Sequence, residues 1–134
     1  MGHFSRALHH VALGARDVET VAAFYRDVFG LPEVTRHCTP SGELRSVWLT
    51  LGDSLLMIER TSCPPHRVEG VGAGPFLLAL RCSITERESL EASLRQAGST
   101  IEERSGFTSY ARDPEGNRVA ISHYPDPMAE VEVR

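Results

Sequence analysis

"LHHVALGARDVETVAAFYRDVFGL", residues 8–31, decides how the chain is read. Leu8 to Leu13 alternate as a strand, with Leu8, His10 and Ala12 on one face and His9, Val11 and Leu13 on the other. Asp17 is a residue type that caps a helix N-terminus, because its short carboxylate can accept from a free backbone N–H. Val21, Phe24, Tyr25 and Val28 then recur at steps of three and four, which places one apolar stripe on a helix. Gly30 supplies the left-handed stop and Pro32 forbids continuation.

The stretches "EVTRHC", "LRSVWLTL" and "SLLMIER" follow as strands, separated by the turns "TPSGE" and "GD". The order is strand, helix, strand, strand, strand. Residues 61–75, "TSCPPHRVEGVGAGP", interrupt it with clustered Pro and Gly and read as a linker. The order then returns. "FLLALRC" is a strand, and Thr85 with Glu88 three residues on predicts a capping box. Leu90, Leu94 and Ala97 form the expected stripe, and Gly98 ends the helix. "STIEERS", "FTSYAR" and "NRVAISH" supply three further strands, the last two joined by "DPEG". Asp17 to Gly30 and Thr85 to Gly98 are both 13 residues, so one pattern is written twice. Superposed halves are expected to bring Asp17 onto Thr85. The fold class expected is α+β, one compact domain of two βαβββ modules at residues 1–60 and 76–134, the second carrying the C-terminal tail, with a linker at 61–75.

With 134 residues, 41% hydrophobic and 24% charged, the chain is long enough to bury a core without staples. A net charge of −4 gives no basic face for nucleic acid, so no nucleic-acid partner is expected. Three cysteines, Cys38, Cys63 and Cys82, lack CxxC spacing, which argues against a disulfide framework and a thiolate zinc site and for the reducing cytoplasm. No apolar run suits a signal peptide or membrane span, so no membrane partner is expected either.

The opening stretch resembles the vicinal oxygen chelate superfamily, which includes glyoxalases, bleomycin and fosfomycin resistance proteins and extradiol dioxygenases. The resemblance rests on His10, Asp17, Phe24-Tyr25 and Gly30-Leu31, and on the closing "ARDPEGNRVAIS". It implies two βαβββ modules whose curved mixed sheets wrap a cleft, within one chain or across a homodimer. It also implies a divalent metal: zinc, nickel, manganese or iron. That ion would have open positions to polarise vicinal substrate oxygens. Carried over by position, the first-strand ligand falls on His10, seven residues before Asp17. The last-strand ligand of the first module falls on Glu59, or in a second register on Met57, which is no ligand. His9 shares the face of Val11 and Leu13 and reads as a rim or packing residue. The second module departs from the pattern: Leu77 and Ala120 stand where ligands should, and alternation puts His123 on the face opposite Ala120.

Alternation also yields a pocket face, with Ser46, Trp48, Thr50, Met57 and Glu59 from the first module. Arg81, Tyr110, Arg118 and Ser122 come from the second. Of these, Trp48, Met57, Arg81, Tyr110 and Arg118 are the expected ligand-binding residues. They suit an apolar or aromatic molecule carrying an anionic group. No catalytic residue can be named. Cys82 alternates with Leu78 and Leu80 and reads as core, and His37 and His66 as surface residues. Two functions remain open. One is a binding protein of the bleomycin-resistance type with an incomplete metal site or none. The other is a metal-dependent lyase, isomerase or dioxygenase using His10 and Glu59.

Overall fold

A computed structural model describes residues 5–127; the very start of the chain and most of the C-terminal tail lie outside the described residues. The chain divides in sequence between Pro64 and Pro65 into two compact units.

The first unit runs β1 (His10–Ala15), α1 (Val18–Phe29), β2 (Glu33–Cys38), β3 (Leu44–Leu51) and β4 (Ser54–Arg60). Its sheet has the order β1-β4-β3-β2. β1 runs parallel to β4, which needs a crossover, and the other pairs are antiparallel and joined by short turns. Asp17 caps α1 as its residue type predicts: one carboxylate oxygen accepts from the Thr20 N–H at 3.1 Å, the other from the Thr20 hydroxyl at 2.8 Å. Gly30 ends the helix at φ +67°, a conformation that costs a Cβ-bearing residue free energy. Val21 and Tyr25 on α1 are buried against a sheet face on which Val47, Leu49, Leu56 and Ile58 are fully buried. That face is the alternate set of each strand, so the opposite set is turned away from the helix.

β1 begins at His10, two residues later than the alternation suggested. The His9 carbonyl still accepts from the Leu55 N–H at 3.1 Å, but Leu8 precedes the ladder and is 61% exposed.

The second unit runs β5 (Leu78–Arg81), α2 (Arg87–Gln96), β6 (Glu103–Arg104), β7 (Thr108–Arg112) and β8 (Arg118–Ser122), with the sheet order β5-β8-β7-β6. Again the outer first strand is parallel to the last, and the rest are antiparallel. The fold class is therefore α+β, with the same element order and the same strand order in both units. β5 is shorter than "FLLALRC": its pairing with β8 runs only from Leu78 opposite Val119 to Arg81 opposite Ser122. β6 is two residues long: the Ser105 N–H turns back to the Thr108 carbonyl at 2.8 Å and closes the hairpin early. The "DPEGN" turn is built by Asp113. Its carboxylate accepts from the backbone N–H groups of Glu115 and Asn117 and from the Asn117 amide, each at 2.9 Å, with Gly116 at φ +95°.

The start of α2 differs from the expected capping box of Thr85 and Glu88. The reciprocal pair is Ser83 and Glu86: the Ser83 N–H donates to the Glu86 carboxylate at 2.7 Å, and the Glu86 N–H to the Ser83 hydroxyl at 3.1 Å. Ser83-x-x-Glu86 has the same spacing as Thr85-x-x-Glu88, and spacing alone did not separate them. Thr85 thus does not cap α2 as Asp17 caps α1. The helix then begins at Arg87, and its buried residues are Arg87, Glu91 and Leu94. Of the expected stripe, Leu94 is buried, Leu90 half-buried and Ala97 exposed. Among the described residues, no helix is long and apolar enough to cross a membrane.

Candidate functional site

The first sheet's helix-free face is ordered in rows by its register. His10, Leu55 and Thr50 form one row; Ala12, Met57 and Trp48 the next; Gly14, Glu59 and Ser46 the third. All the pocket residues expected from this unit therefore share one face. His10 and Glu59 are exposed, Trp48, Met57 and Thr50 half-buried, and Ser46 buried. The Trp48 ring leans toward the first row and meets the His10 imidazole, with centroids 4.9 Å apart and planes at 57°. His9 was expected to face away. Instead its ring stands edge-on to His10, with centroids 5.1 Å apart and the two Nδ1 atoms 2.8 Å apart. Alternation fails there because His9 precedes the first strand residue.

The second sheet's corresponding face carries Ala79, Arg81, Tyr110, Arg118, Ala120 and Ser122. The guanidinium of Arg118 lies over the Tyr110 ring at 4.4 Å and reaches Glu103 at 3.2 Å, so its charge is already met. Arg81 is exposed and stands opposite Ser122, whose hydroxyl is 2.8 Å from that of Thr108. The structure thus separates two arginines that alternation treated alike.

The donor set does not fit the superfamily's metal centre. His10 and Glu59 lie on neighbouring strands but four residues apart in register, since Gly14 and not His10 is the partner of Glu59. At about 3.3 Å per residue that is roughly 13 Å along the strand, so the register does not bring Glu59 to the imidazole. On the second sheet Ala79 pairs with Ala120, and Leu77 precedes the ladder; none of the three offers a coordinating atom. Among the described residues, no group of three or more His, Cys, Asp and Glu side chains is placed to hold a metal ion.

His123, the remaining histidine near the last strand, is committed elsewhere. It is 3% exposed, and its Nε2 lies 3.0 Å from the Arg87 guanidinium. Arginine can only donate, so Nε2 accepts and the proton sits on Nδ1, 2.6 Å from the Asp126 carbonyl it donates to. Arg87 is itself 2% exposed and donates further to the Ser109 hydroxyl and to the carbonyls of Ser105, Gly106 and Thr108. Glu91 completes the cluster, accepting from Ser109 and from Arg104. Burial pushes the Glu91 carboxyl up, but the hydrogen bonds from Ser109 and Arg104 and the nearby positive charges outweigh it and hold the group below its ordinary range. Sequence reading missed this cluster. Its signal was present as Arg87 and Glu91, an i, i+4 pair in phase with Leu94. Cys82 is buried, and burial, followed by the charge of Glu86, raises its thiol above the ordinary value; it is core, not a nucleophile.

The comparisons with known proteins agree with the fold. The sequence matches the Glyoxalase/Bleomycin resistance protein/Dioxygenase superfamily over residues 7–121. A search of curated proteins gave no significant match. Among solved structures, a point mutant of the fosfomycin resistance protein FosX from Listeria monocytogenes, complexed with Mn(II) and 1S,2S-dihydroxypropylphosphonic acid, superposes with a TM-score of 0.75. Identity is 14%, over 90% of this chain and 94% of that one. Lactoylglutathione lyase from Agrobacterium tumefaciens gives 0.63 at 26% identity, over 88% and 93% of the two chains. A glyoxalase/dioxygenase from Nostoc punctiforme gives 0.71 at 23% identity, over 87% and 89%. With the repeated element order, the cap and turn motifs and a match over most of its length, the chain belongs to the Glyoxalase/Bleomycin resistance protein/Dioxygenase superfamily.

Proposed function

We propose that this protein binds a small apolar or aromatic molecule carrying an anionic group, as a sequestering member of its superfamily without the family's full metal centre. The observation that carries the reading is the pairing of two facts on the helix-free faces. Where family ligands are expected, Leu77 and Ala120 have no donor atom, while Trp48 and Met57 offer an apolar platform beside His10. Trp48 is the chain's single tryptophan, so its emission reports on that platform directly. On the second sheet Arg81 is exposed and opposite a hydroxyl-bearing strand, a cation open to an anionic group. A homodimer and a cytoplasmic location, the latter supported by three free cysteines, belong to the same reading.

Titrating the protein with a panel of aromatic carboxylates and phosphonates tests it. A saturable change in Trp48 emission is expected for at least one of them, weakened by Met57→Ala, which cuts back the apolar platform in the same row. A flat response across the panel refutes the reading.

The second reading is a metal-dependent lyase, isomerase or dioxygenase using His10 and Glu59, and one observation favours it: a relative at 26% identity is a lactoylglutathione lyase. Turnover of a hemithioacetal by protein loaded with nickel, zinc, manganese or iron, lost in both His10→Ala and Glu59→Gln, would establish it against the first.

A further inference from the structure

The geometry points to a metal site made by the adjacent pair His9 and His10, in place of the family's arrangement on opposed strands. The two Nδ1 atoms are 2.8 Å apart, and both residues are exposed. Two imidazole nitrogens bound cis at a square-planar or tetragonal ion, each at about 2.0 Å, are separated by about 2.8 Å. At a tetrahedral ion of the same bond length they would be about 3.3 Å apart. The pair therefore matches Cu(II) or Ni(II) better than Zn(II), and the general order of affinities favours copper.

In the metal-free protein one Nδ1 carries the hydrogen that bridges the pair. Binding needs both Nδ1 lone pairs, so that ring shifts its proton to Nε2 and no proton is lost. The ring planes stand at 79°, so the two imidazoles do not stack. Other coordination positions fall to water or an exogenous anion, since among the described residues no third His, Cys, Asp or Glu is placed to join. Glu59 takes no part, four residues away in register. The site stands on the His9–His10 geometry alone and does not depend on the small-molecule reading: each can fail without the other.

Trp48, in ring contact with His10, makes the test direct, because a bound Cu(II) ion quenches a neighbouring indole. The full-length protein carries His3→Ala, His37→Ala and His66→Ala, which removes the histidines other than the pair and buried His123. It is titrated with CuCl2 and with NiCl2 while Trp48 emission is followed. Saturable quenching with one ion per chain is expected, with the midpoint raised about tenfold or more in His9→Ala and in His10→Ala, and unchanged in Glu59→Gln. Electron paramagnetic resonance of the copper form should show coupling to two imidazole nitrogens, falling to one in either single variant. Far-ultraviolet circular dichroism of the variants confirms that the fold is retained. Wild-type affinity in His9→Ala, or a loss in Glu59→Gln equal to that in His10→Ala, overturns the proposal in favour of the family pair. No quenching overturns it outright.

Discussion

Asp17 satisfies one of the free N–H groups at the start of α1 and holds Thr20 by two bonds, which lower its carboxyl below the ordinary value. Asp17→Ala is expected to lower stability by about 0.5–2 kcal/mol, read as a shifted urea midpoint at an unchanged slope. Glu91 acts at the other extreme of exposure. Its carboxyl has a folded value below its ordinary 4.5, so the folded state binds the proton more weakly than the unfolded chain does. The stability it supplies is present in full above that ordinary value and is lost as the pH falls through the folded one. Glu91→Gln should therefore lower stability at neutral pH and flatten the acid limb below about pH 4.5. Superimposable acid limbs for wild type and variant would show that the carboxylate is not coupled to folding. Alternation put His9 on the wrong side. The pleat fixes a side chain's direction only inside the ladder, and His9 is one residue outside it.

The same contrast separates the two helices. α1 was legible because each of its signals names one residue type with one job: Asp17 caps, Val21 and Tyr25 bury, Gly30 turns left-handed. Three strands of the first unit follow from the same clarity, since β2, β3 and β4 lie where alternation and the turn residues put them. α2 was misread because its sequence offers two boxes at the same spacing, and its buried stripe begins with charge. A periodicity rule that counts only apolar residues selects Leu90, Leu94 and Ala97 and passes over Arg87 and Glu91. What reverses their polarity is a set of partners from distant positions in the chain: Ser109, His123 and three carbonyls between Ser105 and Thr108. Such partners are visible only after folding. Arg87→Met should cost roughly 3–5 kcal/mol, because it strands those buried acceptors and leaves Glu91 with less compensating charge. Leu94→Ala should cost about 2–5 kcal/mol by an ordinary cavity. A large loss for Leu94→Ala beside a negligible one for Arg87→Met, both by thermal or urea unfolding, would mean that the polar cluster is incidental to the helix. The candidate site was legible only as a face: alternation gave its residues, while the distance between His10 and Glu59 depended on a parallel register that no local pattern encodes.

At the scale of the whole molecule, sheet edges govern association. Each four-stranded sheet leaves two, and an unpaired edge invites another strand. β2 is guarded. It is exposed throughout, its pairing with β3 shifts register twice, and Arg36 on it binds both Glu33 and Glu19. Charge and irregular pairing are what keep natural edges from associating. β1 has no such device. Its ladder is regular from His10 to Ala15, and Leu8, just before it, is a large apolar side chain left 61% exposed. If the protein is the homodimer proposed above, self-association should use the β1 edge and spare β2. Leu8→Lys should then shift the mass measured by light scattering toward the monomer, while Val34→Lys on β2 should leave it unchanged. A wild-type monomer at tens of micromolar, where a standard interface is about saturated, would overturn the dimer. Dissociation by Val34→Lys with no effect of Leu8→Lys would instead move the interface to β2, against the protection that its charges and irregular register supply.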